Sequence, residues 1–336
     1  MIHHKHRHKG LMVFSLLVLM IFVAWVSLHT HSAQASKATV NEIDTSLGII
    51  PVWRGPSDAQ MPKGEEAELI HYGKELVQNT AFYLGPKGKI SAITNGMNCQ
   101  NCHLEAGTKP FGNNFFAVKA NYPKLNLRSG QMEGVAGKVN ECLTRSLHGT
   151  ALDTNSRELK AMVAYITWLG TGVDKGKKPE GSVLKMVPYM ERAALPDSGK
   201  LVFESKCAAC HQVGGEGIKN VDGNGFQYPP LWGNESFTKG AAMYRISNLA
   251  AFVRSNMPNG TTFKNPELTE SQAWDVAAYI VSKSRSDINS KNDWADIASK
   301  PFDLPFGPYA DGFSETQHQF GPFKPILQAK ATLTKN

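Results

Sequence analysis

Five cysteines, and the histidines beside two pairs of them, carry the chemistry open to this chain. Cys99-Gln100-Asn101-Cys102-His103 and Cys207-Ala208-Ala209-Cys210-His211 both read C-x-x-C-H. Two thiols one helical turn apart reach the two vinyl groups along one porphyrin edge. The histidine that follows lies beneath the ring and offers an axial nitrogen to the iron. One such match also fits a zinc site or a thiol redox pair. Two matches, each with its histidine in place, point to two covalently bound haem c groups. Cys142 is then left over, either a buried inert thiol or a ligand.

The sixth ligand decides what each haem does. Met257 lies 46 residues beyond His211, after a helical stretch and before Pro258. A thioether there completes a His/Met site, which raises reduction potential and suits electron transfer. Met243 competes, but it falls inside a helical stretch and is expected to pack. The first site has no such Met-Pro. Cys142 stands 39 residues beyond His103, with Met132 and His148 as the alternatives. Thiolate is a stronger donor than thioether, so a His103/Cys142 iron has a low potential and pins the thiol in its ionised form. An ionised sulfur beside a one-electron acceptor suits sulfur chemistry better than simple electron carriage. If 134–147 is helical, Cys142, Arg145 and Ser146 share one face, with Lys138 one turn earlier. Arg128 approaches from a loop. Such cations hold a sulfonate or sulfate-like group, although each taken singly reads as a solvated surface charge. Arg145 alternatively binds a haem propionate, and Ser146 either donates to substrate or caps the backbone.

The elements that position these groups are helical. Residues 65–78 start on Glu65, Glu66 and Glu68, with Leu69, Tyr72 and Leu76 along one face. Further helices are expected at 134–147 and at 157–169, the latter capped by Asn155. The stretch 108–130 reads as a wrapping loop, and the Gly/Lys/Pro-rich 171–187 as a linker. The plan then repeats: a short helix from Ser198-Gly199-Lys200, the second C-x-x-C-H, helical residues 241–255, and a closing helix from Thr269 with Gln272 as a capping box. Ala164-Tyr165-Ile166 and Ala278-Tyr279-Ile280 occupy matching places in the two closing helices, which supports duplication. The fold class is therefore all-α, with domains at 63–170 and 188–285. A Pro-rich, aromatic segment at 286–336 has no repeat partner and is expected to be an ordered, extended tail.

The start of the chain reads as an address. Lys5, Arg7 and Lys9 precede an uncharged apolar run at 11–28, and Ala33-Gln34-Ala35 gives an A-x-A cleavage pattern. Residues 1–35 are thus a Sec signal peptide, followed by an irregular lead-in at 36–62. The apolar run is long enough that an uncleaved membrane anchor is the alternative. The functional part is exported, to the periplasm. Net charge is +7, and losing the three leader cations brings it to +4. Haem propionates lower that further, and no stripe of Lys and Arg interleaved with aromatics marks a nucleic-acid surface.

The repeated plan resembles the class I cytochrome c fold. That resemblance implies first and last helices that cross at a glycine, here Gly73 and Gly199. Longer segments resemble the dihaem thiosulfate dehydrogenase and tetrathionate reductase family. These are the first haem segment through Leu104-Glu105-Ala106-Gly107, then Leu127-Arg128-Ser129-Gly130 and Val139-Asn140-Glu141-Cys142-Leu143-Thr144-Arg145-Ser146-Leu147. Tyr309-Ala310-Asp311, Gln317-His318 and Gly321-Pro322-Phe323 match in the tail. The resemblance implies coupling of two thiosulfates to tetrathionate with release of two electrons, run in reverse by some relatives. It assigns catalysis to the haem of His103 and Cys142, and exchange with a soluble c-type cytochrome to the haem of His211 and Met257. Cys142 sulfur would carry a thiosulfate unit transiently. Two departures stand out. Lys138 replaces the family's usual Arg, and Asn256 stands where some members place Lys. The competing readings are a tetrathionate reductase in the main direction, a non-catalytic dihaem electron carrier, and a carrier-linked sulfur oxidation cytochrome that needs a partner protein.

Overall fold

A computed structural model describes residues 52–333. The leader and most of the lead-in lie outside them. The principal helices are α1 (Glu65–Gln78), α2 (Val135–Arg145), α3 (Arg157–Leu169), α4 (Pro196–Lys206), α5 (Ile246–Asn256), α6 (Glu270–Val281), α7 (Glu315–Phe320) and α8 (Lys324–Leu333). Two short antiparallel hairpins interrupt the helical plan: β1 (Lys124–Asn126) with β2 (Gln131–Glu133), and β3 (Ile218–Lys219) with β4 (Phe226–Tyr228). The first hairpin lies in and just beyond the stretch expected to be a loop.

Each half is built on a pair of packed helices, α1 on α3 and α4 on α6. The apposition is closest at one glycine per pair. A Cβ on Gly73 would come within 1.9 Å of the Ala161 carbonyl oxygen, and one on Gly199 within 1.8 Å of the Asp275 carbonyl oxygen. Backbone therefore rests on backbone, which only hydrogen at Cα permits. Asp275 also fixes where α4 begins. Its buried carboxylate takes both Arg192 Nη atoms at 2.8 Å and the Leu195 N–H at 2.9 Å.

The caps differ in one place from expectation. Thr269 and Gln272 form the anticipated reciprocal box on α6. On α3 the cap is Ser156, whose hydroxyl accepts from Leu159 N–H, and not Asn155. One residue of register decides this, because only the hydroxyl at Ser156 has the donor three residues on. The buried face of α1 is Ile70, Gly73, Leu76 and Val77; Leu69 and Tyr72 sit half-buried at its edge.

Two apolar clusters form the core. One joins α1 and α3 through Leu76, Phe116, Met162 and Tyr165. The other is larger and is not confined to the second half. It takes in Met97, Leu143 and Leu147 from the first half alongside Phe203, Trp274 and Ile280. The 171–187 segment is pinned too: Gly181 C=O accepts from Phe111 N–H at 2.8 Å and from Asn114 Nδ2 at 2.6 Å.

The tail is ordered but only partly extended, since it ends in α7 and α8. Phe302, Phe306, Phe313 and Phe320 pack on the larger cluster, and Phe323 and Ile326 are buried within it. Asp303, with 0% side-chain exposure, accepts from Arg245 Nε at 2.6 Å and Ser247 N–H at 3.2 Å. A tail carboxylate thus meets the first turn of α5, where unpaired N–H groups favour negative charge. Among the described residues no helix is long and apolar enough to cross a membrane.

Candidate active site

The first C-x-x-C-H is held by its flanks. Asn98 and Asn101 bond each other's backbone across a turn of 3-10 helix, Cys99–Asn101. Asn98 Oδ1 also accepts from Ala81 N–H at 2.7 Å, and Thr80 Oγ1 accepts from Cys99 N–H at 3.0 Å. His103 Nδ1 bonds the Asn113 carbonyl at 2.6 Å; His211 Nδ1 bonds the Pro229 carbonyl at 2.8 Å. Each bond fixes the tautomer and leaves Nε2 as the basic nitrogen, the arrangement that orients a metal-bound histidine. Burial pushes His103 down to about 4, and His211 also downward, so both imidazoles are neutral donors at neutral pH.

No two of the five cysteines are joined in a disulfide. Among the described residues no three His, Cys, Asp or Glu side chains are grouped to hold a metal ion. Between the first motif and α2 lies a cleft with about 1340 Å³ of empty space, its open mouth included. Cys99, Cys102 and His103 line it, and so do Cys142, Arg128, Lys138, Arg145 and Ser146. The donor set and the cleft between them fit a covalently held haem. Of the three candidates for its far side, Cys142 alone lines the cleft. Met132 is 66% exposed on β2, and His148 is exposed beyond α2.

Burial raises the Cys142 thiol, while Lys138, and less strongly Arg128, pull it back down. The net direction is upward, so the protein alone does not ionise this thiol at neutral pH. The cations are not isolated. Arg128 Nη1 bonds Glu141 Oε1 at 2.7 Å, Lys138 bonds the other Glu141 oxygen, and Arg145 bonds Asp293. Burial alone would raise Glu141, but Lys138 and Arg128 outweigh it and hold the carboxyl below its ordinary value.

Several contributors had no place in the sequence reading. Glu141 was visible as an acid three residues after Lys138, the spacing of a helical ion pair. Gly240, Ala241, Ala242 and Met243 reach the cleft from the second half. Met243 is buried, as expected of a packing residue, but at the first site. Asp293 and Trp294 arrive from the tail. Trp294 has φ +63°, a left-handed conformation that costs a bulky residue roughly 1–3 kcal/mol.

At the second motif, Cys207 ends α4 and His211 closes a helical turn, Ala208–His211. Met257 follows α5, half-buried against the same apolar cluster as Cys207 and Trp232.

Comparison with known proteins assigns these halves. A cytochrome c family model matches residues 196–284, and a SoxA/TsdA cytochrome c domain model matches residues 90–174. Each therefore carries one covalent haem c. The chain is 34% identical over 230 residues to a thiosulfate dehydrogenase of Stutzerimonas stutzeri, covering 68% of this chain and 72% of that one. It is 32% identical over 265 residues to a thiosulfate dehydrogenase of Psychrobacter arcticus, covering 78% and 77%. Among solved structures it is similar to a thiosulfate dehydrogenase (TsdBA) of Marichromatium purpuratum, with TM-score 0.65 and 28% identity. That match covers 73% of this chain and about half, 52%, of the solved one.

Proposed function

The chain belongs to the thiosulfate dehydrogenase family, and we propose on that basis that it joins two thiosulfates into tetrathionate at the cleft of Cys142. The observation that carries this reading is the placement of Cys142, Lys138 and Arg128 on the same wall system as Cys99, Cys102 and His103. An electron-accepting cofactor, a nucleophilic sulfur and anion-binding cations then meet in one space.

His103 and Cys142 would hold the first haem between them, and His211 and Met257 the second. When bound, the haems supply the one-electron acceptors that take away two electrons per turnover. Arg128 and Lys138 hold the sulfonate oxygens of thiosulfate, with Arg145 and Ser146 at the same wall. The Cys142 thiolate bonds the outer sulfur of one thiosulfate with loss of two electrons, giving a thiosulfonate on the side chain. The outer sulfur of a second thiosulfate attacks that sulfur, breaks its bond to Cys142 and leaves tetrathionate. Cys142 departs as the thiolate, so the cycle closes without consuming the side chain.

Residues 63–170 are the catalytic domain, 188–285 the electron-transfer domain and 171–187 their linker. The partner that takes the electrons is a soluble c-type cytochrome, and the compartment is the periplasm. The leader pattern at 1–35 supports that export, with membrane attachment only where the leader stays uncleaved.

Cys142→Met tests the assignment. Haem attachment persists because neither C-x-x-C-H is touched. The low-potential signal of the first haem disappears, and thiosulfate-dependent reduction of ferricyanide falls by about three orders of magnitude. Turnover within a few-fold of the parent would refute the role given to this sulfur.

A further inference from the structure

The cations of the cleft come from separate elements, and a carboxylate from the tail joins two of them. Arg128 belongs to the turn between β1 and β2, and Arg145 is the last residue of α2. Asp293 Oδ2 bonds Arg145 Nη2 and lies 3.8 Å from Arg128 Nε. Glu141 extends the chain to Lys138. Three cations and two carboxylates are thus joined in one linked set.

Trp294 secures the same junction by two further contacts. Its backbone N–H donates to the Arg128 carbonyl at 2.8 Å, and its indole lies over the Arg128 guanidinium, 5.5 Å from the ring centroid. The residue is 8% exposed and left-handed in backbone, so its place is held by these partners against its own preference. Three buried N–H groups here have no hydrogen-bond partner: Arg128 Nε, Arg145 Nε and Trp294 Nε1. These buried donors come from three elements that meet at one junction, and an oxyanion is a group that would satisfy them.

We propose that Asp293 and Trp294 are positioning residues of the thiosulfate site. They fix the planes of Arg128 and Arg145 so that their remaining N–H groups meet an oxyanion. The inference rests on the reading that these arginines hold substrate. Haem propionates offer the same oxyanion chemistry, and the experiment separates the two.

The test uses haem-loaded D293N, R128Q and the double variant, with thiosulfate KM and kcat measured against ferricyanide and both haem potentials measured by spectroelectrochemistry. For D293N, KM rises about tenfold, kcat stays within about threefold and both potentials hold. The double variant exceeds R128Q alone by less than the D293N factor, because the share that passes through Arg128 is already lost while the share through Arg145 remains. An R128Q with parental KM sinks the substrate-site reading itself. A raised KM in R128Q with an unchanged or purely additive D293N sinks the positioning role alone. A shifted first-haem potential in D293N with parental KM assigns the arginines to propionates and also overturns it. W294G suits the left-handed backbone while deleting the indole, so it provides the same KM readout should D293N fail to load haem.

Discussion

At the scale of single residues, the chemistry was legible where it is written in a short motif. Both C-x-x-C-H segments and the odd Cys142 stand out by spacing alone. Glu141 had a weaker signal, its helical spacing from Lys138, and Asp293 had none, because 148 residues separate it from Arg145. The depressed Glu141 has a testable consequence. A carboxyl held below its ordinary value contributes stability above that value and loses it as pH falls through the lower, folded-state value. Urea midpoints of the parent and E141Q, measured from about pH 6 down to pH 3, therefore converge as acidity increases. A gap that stays constant over that range would mean Glu141 is not the group linked to acid sensitivity.

Elements with long amphipathic stripes were readable to the residue. The expected 65–78 and 157–169 helices coincide with α1 and α3, because their polar starts and apolar periods agree. The β1–β2 hairpin was hidden for the opposite reason. Its strands are three residues each, and Leu125 and Met132 point to solvent, so no buried alternation marks them. Helices α7 and α8 were masked by the Pro-rich run before them. At this scale the glycine contacts are the sharpest features. G73A and G199A each push a methyl into a carbonyl oxygen of the facing helix, and each destabilises its half by about 3 kcal/mol. Denaturation followed at each haem's own absorbance gives the size and shows which half opens first. A loss below about 0.5 kcal/mol would mean the helices can slide apart at no real cost.

Over the whole molecule, sequence gave the duplicated plan but not the way the halves are fastened. The tail packs on the larger cluster; that one of its carboxylates serves α5 and another the cleft is information held in the tertiary contacts alone. Asp303→Ala removes the partner of Arg245 and of Ser247 N–H at a site closed to solvent. The expected cost is roughly 3 kcal/mol, read as a lowered thermal midpoint, with both haems still attached. An unchanged midpoint would show that the tail rests on the second half without anchoring it.

Met97, Leu143 and Leu147 give the second half part of its oily interior, so the two halves are not beads on a string. Independent swinging is the default for joined domains only when the surface between them is small or wet. Here the gap that an electron must cross is set once, by folding. Thickening the medium with glycerol therefore slows the visit of an external carrier and leaves the internal hop at its own pace.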